Sequence, residues 1–195
     1  MSSDSFLNSL TFKYVSESDV ERAFELESQG YPPEEAATLE KLIYRQKHAP
    51  ELFLGAYLST SSTLPHTSSS LQSSQLILIG FIVSTLTISP SLTEESMSHH
   101  DPSGKTVCIH SVCVDKHYRR RGVALALLKE YIKRLGKDFR ELDRENEGKR
   151  KYERIVLISH DYLIPLYQKA GFVFKGESQI VHGNEKWFDL VLDLN

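Results

Sequence analysis

The 195-residue chain has two cysteines, Cys108 and Cys113, five positions apart in a stretch rich in β-branched residues. On an extended strand, residues five apart face opposite sides and cannot reach each other, so no disulfide framework is expected. Charge of one sign is lacking too: 23 basic residues stand against 26 acidic ones, for a net charge of −3. Nothing in that balance asks for nucleic acid or an anionic membrane as a partner, and it is compatible with a cationic substrate. No apolar run approaches the roughly 20 residues of a membrane span. The opening MSSDSFLNSL has neither the basic start nor the long apolar run of a secretory leader, so a cytoplasmic location is expected. No internal repeat is visible, and no metal site is expected.

What is present suits a single globular domain, residues 1–195 with a core over about 10–194: 40% of the residues are hydrophobic and 25% charged. Leu10 to Val15 reads as a first strand. Ser18-Asp19 then caps a helix to about Ser28, Tyr31-Pro32-Pro33 interrupts, and a second helix is expected from Glu34 to about Lys47. Leu52 to Ser59 and Leu76 to Leu86 read as two strands. The segment between them, Ser59 to Gln75, has eight serines in seventeen residues and is expected to be a flexible loop. Lys137 to Arg154 carries thirteen charges in eighteen residues, of both signs, as the solvated end of a helix plus a loop would. Ile155 to Ser159 is expected as a strand, Tyr162 to Lys169 as a short helix stopped at Gly171, and Phe172 to Phe174 with Phe188 to Leu194 as a closing hairpin.

The segment with most chemistry is Val107 to Glu130, VCIHSVCVDKHYRRRGVALALLKE. Val107, Ile109, Val112 and Val114 predict a strand; Val123, Leu125, Leu127, Leu128, Tyr131 and Ile132 predict a helix by their spacing. Between them, Arg119-Arg120-Arg121-Gly122-Val123-Ala124 places small residues and positive charge at a helix N-terminus. Backbone N–H groups can approach an anion there, and the helix dipole favours it. A diphosphate is the expected ligand.

This strand, turn and helix resemble the acetyl-CoA-binding motif of the GCN5-related N-acetyltransferases (GNAT), Arg/Gln-x-x-Gly-x-Gly/Ala. Pro50 to Gly55, Leu92 to Ser96, His110 and Asp161 to Tyr167 fall in the order seen in the serotonin (arylalkylamine) N-acetyltransferases. Over about Leu10 to Leu194 the chain resembles the fungal polyamine enzymes of that group more than the vertebrate ones. The resemblance implies an α/β (α+β) fold, with a mixed, mostly antiparallel sheet whose parallel central strands splay to admit acetyl-CoA. It implies cofactor contacts at Val112, Cys113 and Val114, at Arg119, Arg120, Arg121, Gly122, Val123, Ala124 and Leu125, and at Tyr167. For the acceptor amine it implies a wall including Phe53, Ile158 and Trp187, beside the Pro32-Pro33 loop and the Leu92 to Met97 segment.

Amide formation sets its own requirements. A primary amine with a pKa near 10 is protonated at neutral pH, and freeing its lone pair costs about 4 kcal/mol. A general base is needed, together with an acid for the departing thiolate. His110 is expected as the base, alone, through water, or assisted by His160 or Asp161, and Tyr167 as the acid. Vertebrate relatives pair two histidines on this strand, and the first of these positions is Cys108 here, which leaves that relay without one member. A thiolate role for Cys108 or Cys113 is not expected in a strand interior. Glu34, Glu35, Glu94 and Glu95 could draw a second ammonium of a polyamine, or simply be solvated carboxylates.

The expected activity is therefore acetyl transfer from acetyl-CoA to an arylalkylamine or polyamine. A protein acetyltransferase acting on lysine or N-termini is the alternative, and a CoA-sensing domain a third possibility. The basic-flanked phosphorylation sites through which vertebrate relatives recruit an adaptor are not found, so no such partner is expected, and the chain is expected to act as a monomer.

Overall fold

In a computed structural model, residues 3–60, 75–142 and 151–194 are described. A seven-stranded sheet runs through them in the order β1-β2-β3-β4-β5-β7-β6. Its strands are β1 (Leu10–Tyr14), β2 (Phe53–Thr60), β3 (Gln75–Thr87), β4 (Thr106–Val114), β5 (Arg154–Ser159), β6 (Val173–Glu177) and β7 (Phe188–Asp193). The helices are α1 (Ser3–Leu7), α2 (Val20–Gly30), α3 (Leu39–His48), α4 (Val123–Leu142) and α5 (Ile164–Lys169). None is long and apolar enough to cross a membrane among the described residues. The expected mixed, mostly antiparallel sheet with flanking helices is what the structure shows: only β4 and β5 run parallel.

Two apolar cores sandwich the sheet. On one face α4 lays Val123, Leu127, Leu128, Tyr131 and Leu135, spaced at helical period, against Leu54, Ala56, Ile82 and Val107. On the other, α2 and α3 bring Ala23, Leu26 and Leu42 against Phe53, Tyr57, Phe81 and Val83. The alternation along β2 and β3 that feeds both cores is the strand period of two. Tyr131, buried, donates its hydroxyl toward the Leu52 carbonyl and Ser84 Oγ, and so pays no unsatisfied-donor cost for sitting inside.

Several boundaries differ from the sequence reading. Helix α3 begins at Leu39, five residues later than expected, because Thr38 caps it by accepting from Lys41 N, while Glu35 N and Ala36 N turn back onto the Pro32 carbonyl. Asp19 does not cap α2; its carboxylate accepts from Ser16 Oγ and from the Tyr57 hydroxyl. Helix α1 was not anticipated at all. Most of the Ser-rich segment, residues 61–74, and residues 143–150 of the charged stretch lie outside the described residues.

The site is positioned by a failure of pairing. Strands β4 and β5 pair only from Thr106↔Arg154 to Cys108↔Val156, although β4 continues to Val114 and β5 to Ser159. Beyond Cys108 the two strands diverge, and β4 stays paired with β3 alone.

Candidate functional site

A cleft of about 650 Å³ fills the gap between the diverging strands. Val112, Cys113 and Val114 form one wall, Leu166 and Tyr167 of α5 the other, and Arg119 and Ala124 close the end at the α4 N-terminus. The loop over Tyr31 to Glu35 and the turn over His160 to Leu163 close the opposite end. A second, smaller space of about 30 Å³ lies against Ile109, His110, Ile158, His182 and Trp187. Tyr31, Val112 and Tyr167 wall both.

Strand β4 offers polar main-chain groups to the cleft because beyond Cys108 no strand pairs with them on that side. The Val112 N–H points at the Tyr31 hydroxyl, 3.4 Å away, and the Val114 carbonyl accepts from Arg119 Nε at 2.9 Å. The Cys113 side chain turns the other way, its thiol 3.1 Å from Glu27 Oε2. Glu27 is buried on α2, and its Oε1 also accepts from Ser111 Oγ and Ala37 N. Burial pushes both thiols up, that of Cys108 to about 12, so neither cysteine carries a thiolate at neutral pH.

In the turn before α4 the backbone takes left-handed values at two positions, Arg120 (φ 59°) and Gly122 (φ 85°). A side chain at Gly122 would be strained there and would also approach Leu7 Cδ1 to 3.2 Å. The three arginines do not act alike. Arg119 ties the end of β4 to α2, bonding the Val114 and Gln29 carbonyls, and lines the cleft. Arg121 lies over the Phe6 ring, 3.6 Å from its centroid, so its side chain serves the packing of α1. Arg120 is exposed. Val123 is buried in the core, so it can meet a ligand only through the main chain, and Leu125 is partly buried on α4.

Tyr167 is 5% exposed, packed edge-on against Phe172, and forms part of both walls. Burial raises its pKa above the usual phenol value, and nearby Cys113 adds to this, so the hydroxyl is a proton donor at neutral pH. Tyr31, absent from the expected site, faces it across the cleft and is raised for the same reason. A tyrosine following a helix end and preceding two prolines carries no pattern that marks it.

His110 is the extra residue of a β-bulge: Val83 pairs with Ser111 and Ser84 with Ile109, which leaves His110 unopposed on β4. Its Nε2 lies 2.7 Å from Thr85 Oγ1, and its Nδ1 is buried without a hydrogen-bond partner. Burial, then the positive charges of Arg45 and Lys41, hold its pKa well below the usual histidine value. Ile158 and Trp187 line the small space, whereas Phe53 is fully buried against Phe81 and lines neither space, because β2 turns that face into the core under α2 and α3.

At the opposite end from the arginines, Glu35 is buried, not solvated as its loop position suggested. Its Oε2 lies 3.0 Å from His160 Nε2, and its carbonyl accepts from His182 Nε2. His160 stacks between Tyr162 and Trp187, and the Trp187 indole N–H donates to the His182 carbonyl. Glu34, Glu94 and Glu95 are exposed. No group of three or more His, Cys, Asp and Glu side chains is arranged to hold a metal among the described residues.

An acetyltransferase (GNAT) domain model matches residues 100–187, the span that holds β4, the arginine turn, β5 and α5. Over that span the chain is similar to members of the GNAT superfamily. It is 30% identical over 117 residues to the serotonin N-acetyltransferase of Mesocricetus auratus, covering 60% of this chain and 51% of that one. The chain spans about half the length of the curated relatives it matches. The GNAT fold also superposes with a GphF GNAT-like decarboxylase in complex with isobutyryl-CoA (TM-score 0.68, 15% identity, 95% of this chain and 100% of that one). A NatC complex bound to Gag peptide and CoA superposes with TM-score 0.63 at 19% identity, covering 95% and 99%.

Proposed function

We propose that this chain transfers the acetyl group of acetyl-CoA to the primary amine of a small molecule, an arylalkylamine or a polyamine. One observation carries the reading: the cleft opens where β4 and β5 part, between main-chain groups of Val112 and Val114 that no strand pairs with and the Tyr167 side chain, with the α4 N-terminus at one end and an aromatic, acidic pocket at the other.

The residues present fit the cofactor. The turn over Arg119 to Ala124 would receive the diphosphate on N–H groups of the first turn of α4, with Arg119 lending charge. Val112 and Val114 would hold the pantetheine arm as a neighbouring strand holds its partner, through the main chain. Similarity to a serotonin N-acetyltransferase and the fold shared with a CoA-bound structure support acetyl-CoA as the co-substrate.

At the acceptor end the Trp187, His160 and Tyr162 rings would grip an aromatic or alkylammonium group, and the buried Glu35 supplies negative charge near it. These features favour a small cation over a peptide. The amine must lose a proton before attack, and a histidine at this end, where His110, His160 and His182 converge on Trp187 and its cavity, would take it. Tyr167, protonated, would give its hydroxyl proton to the departing CoA thiolate. The test is steady-state release of CoA from acetyl-CoA with tryptamine, phenylethylamine, spermidine and a lysine peptide. Turnover with the amines and not the peptide is expected; turnover with the peptide alone would favour the protein acetyltransferase.

A further inference from the structure

Among the histidines at the acceptor end, the sequence favours His110 as base, but in the structure neither of its ring nitrogens faces the open cleft. Nε2 is engaged by Thr85 Oγ1, and Nδ1 is enclosed with no partner and no access for water. The bulge that turns the ring inward also sets it near Arg45 and Lys41, whose charges oppose the proton a base must hold.

His160 has the opposite setting. It follows β5, lines the cleft, and is pinned by Trp187 at 4.1 Å and Tyr162 at 5.5 Å between ring centroids. A carboxylate only accepts, so the 3.0 Å contact with Glu35 makes Nε2 the N–H and leaves the lone pair on Nδ1. That Nδ1 makes no hydrogen bond among the described residues and is not one of the enclosed orphan atoms, and His160 is one of the residues that line the cleft. Glu35 is itself 6% exposed, and its backbone carbonyl accepts from His182 Nε2.

We propose that His160, oriented by Glu35, is the catalytic base of the acetyl transfer, with Glu35 as its positioning residue. This rests on the proposed acetyltransferase reading. His160 Nδ1 takes one proton from the ammonium; the freed nitrogen forms its bond to the acetyl carbon and the carbon–sulfur bond breaks. The nitrogen's second proton leaves to solvent, the thiolate receives the Tyr167 proton, Tyr167 is reprotonated from solvent and the His160 imidazolium gives its proton back to solvent, so an ammonium and acetyl-CoA become an amide, CoA thiol and one released proton. The imidazolium formed on the way sits beside the Glu35 carboxylate, as in the histidine–carboxylate pairs of hydrolases. Other titratable groups facing His160 are Asp161 and Tyr162 on its own turn, Glu185 and Lys186 of the β6–β7 loop across the cleft, His182 behind Trp187, and Tyr167 on α5.

The experiment is the pH profile of kcat/KM, with acetyl-CoA affinity measured in parallel by calorimetry as a check on folding. In the wild-type protein the rate falls at acid pH as the base becomes protonated. His160→Gln is expected to lower kcat by about 100-fold and to remove that acidic limb while acetyl-CoA affinity stays within about twofold, and Glu35→Gln to lower kcat about tenfold and move the limb to lower pH. The limb should persist in His110→Asn whatever the rate of that variant. A wild-type limb in His160→Gln, or its disappearance in His110→Asn, would overturn the assignment. If the wild-type protein binds acetyl-CoA but acetylates no amine, the functional reading itself fails, and the assignment with it.

Discussion

The Glu27 carboxylate, fully enclosed on α2, accepts from Ser111 Oγ at 2.8 Å and thereby ties the helix to β4 at the point where β4 leaves its parallel neighbour. The same carboxylate serves Cys113 and Ala37, and its charge is the main support of the buried Arg45 guanidinium, whose pKa burial brings down to about 10. Glu27→Leu would leave these partners and a buried cation uncompensated. A loss of about 3 kcal/mol in urea unfolding is expected, more than a surface carboxylate change would give.

Gly122 is the one position of the arginine turn that combines a left-handed backbone with a close neighbour, Leu7. Gly122→Ala is expected to cost about 1 kcal/mol, seen as a melting temperature lower by about 3 °C. It should also weaken acetyl-CoA binding, because the strained turn relaxes by moving the first N–H groups of α4.

Tyr167→Phe keeps the ring packed on Phe172 and removes only the raised-pKa hydroxyl. Turnover is expected to fall by about 100-fold with acetyl-CoA affinity unchanged. A wild-type kcat would remove the tyrosine from the chemistry.

His110 gives a pH signature in stability. Its folded-state pKa lies below the ordinary value of 6.5, so the unfolded chain binds the proton more readily and stability declines as pH falls through that value. Melting temperature in His110→Gln is expected to decline less between neutral pH and about pH 5 than in the wild-type protein. Equal slopes would show that the ring is not held neutral by its surroundings.

These sites were unequally legible in the sequence. The strand, arginine turn and helix around Gly122 were plain, because local periodicity and one glycine specify them. The short helix that carries Tyr167 was legible after Pro165, whereas the role expected of Tyr167 came from the family resemblance. The burial of Glu35 was not, since nothing in a Pro-rich loop says that His160, 125 positions away, will meet its carboxylate. Nor was the inward turn of His110: a bulge depends on the register of β3 against β4, which alternation along one strand does not reveal. The packing of Arg121 on Phe6 was not legible either, because α1 is too short to show a period.

The central claim is that the space between β4 and β5 receives acetyl-CoA with its diphosphate at the α4 N-terminus, and titration calorimetry addresses it directly. Saturable binding of one acetyl-CoA per chain is expected, weakened at least tenfold in Ala124→Glu, which sets a carboxylate where the cleft meets that helix. No heat from the wild-type protein, or equal affinity in both, would contradict it.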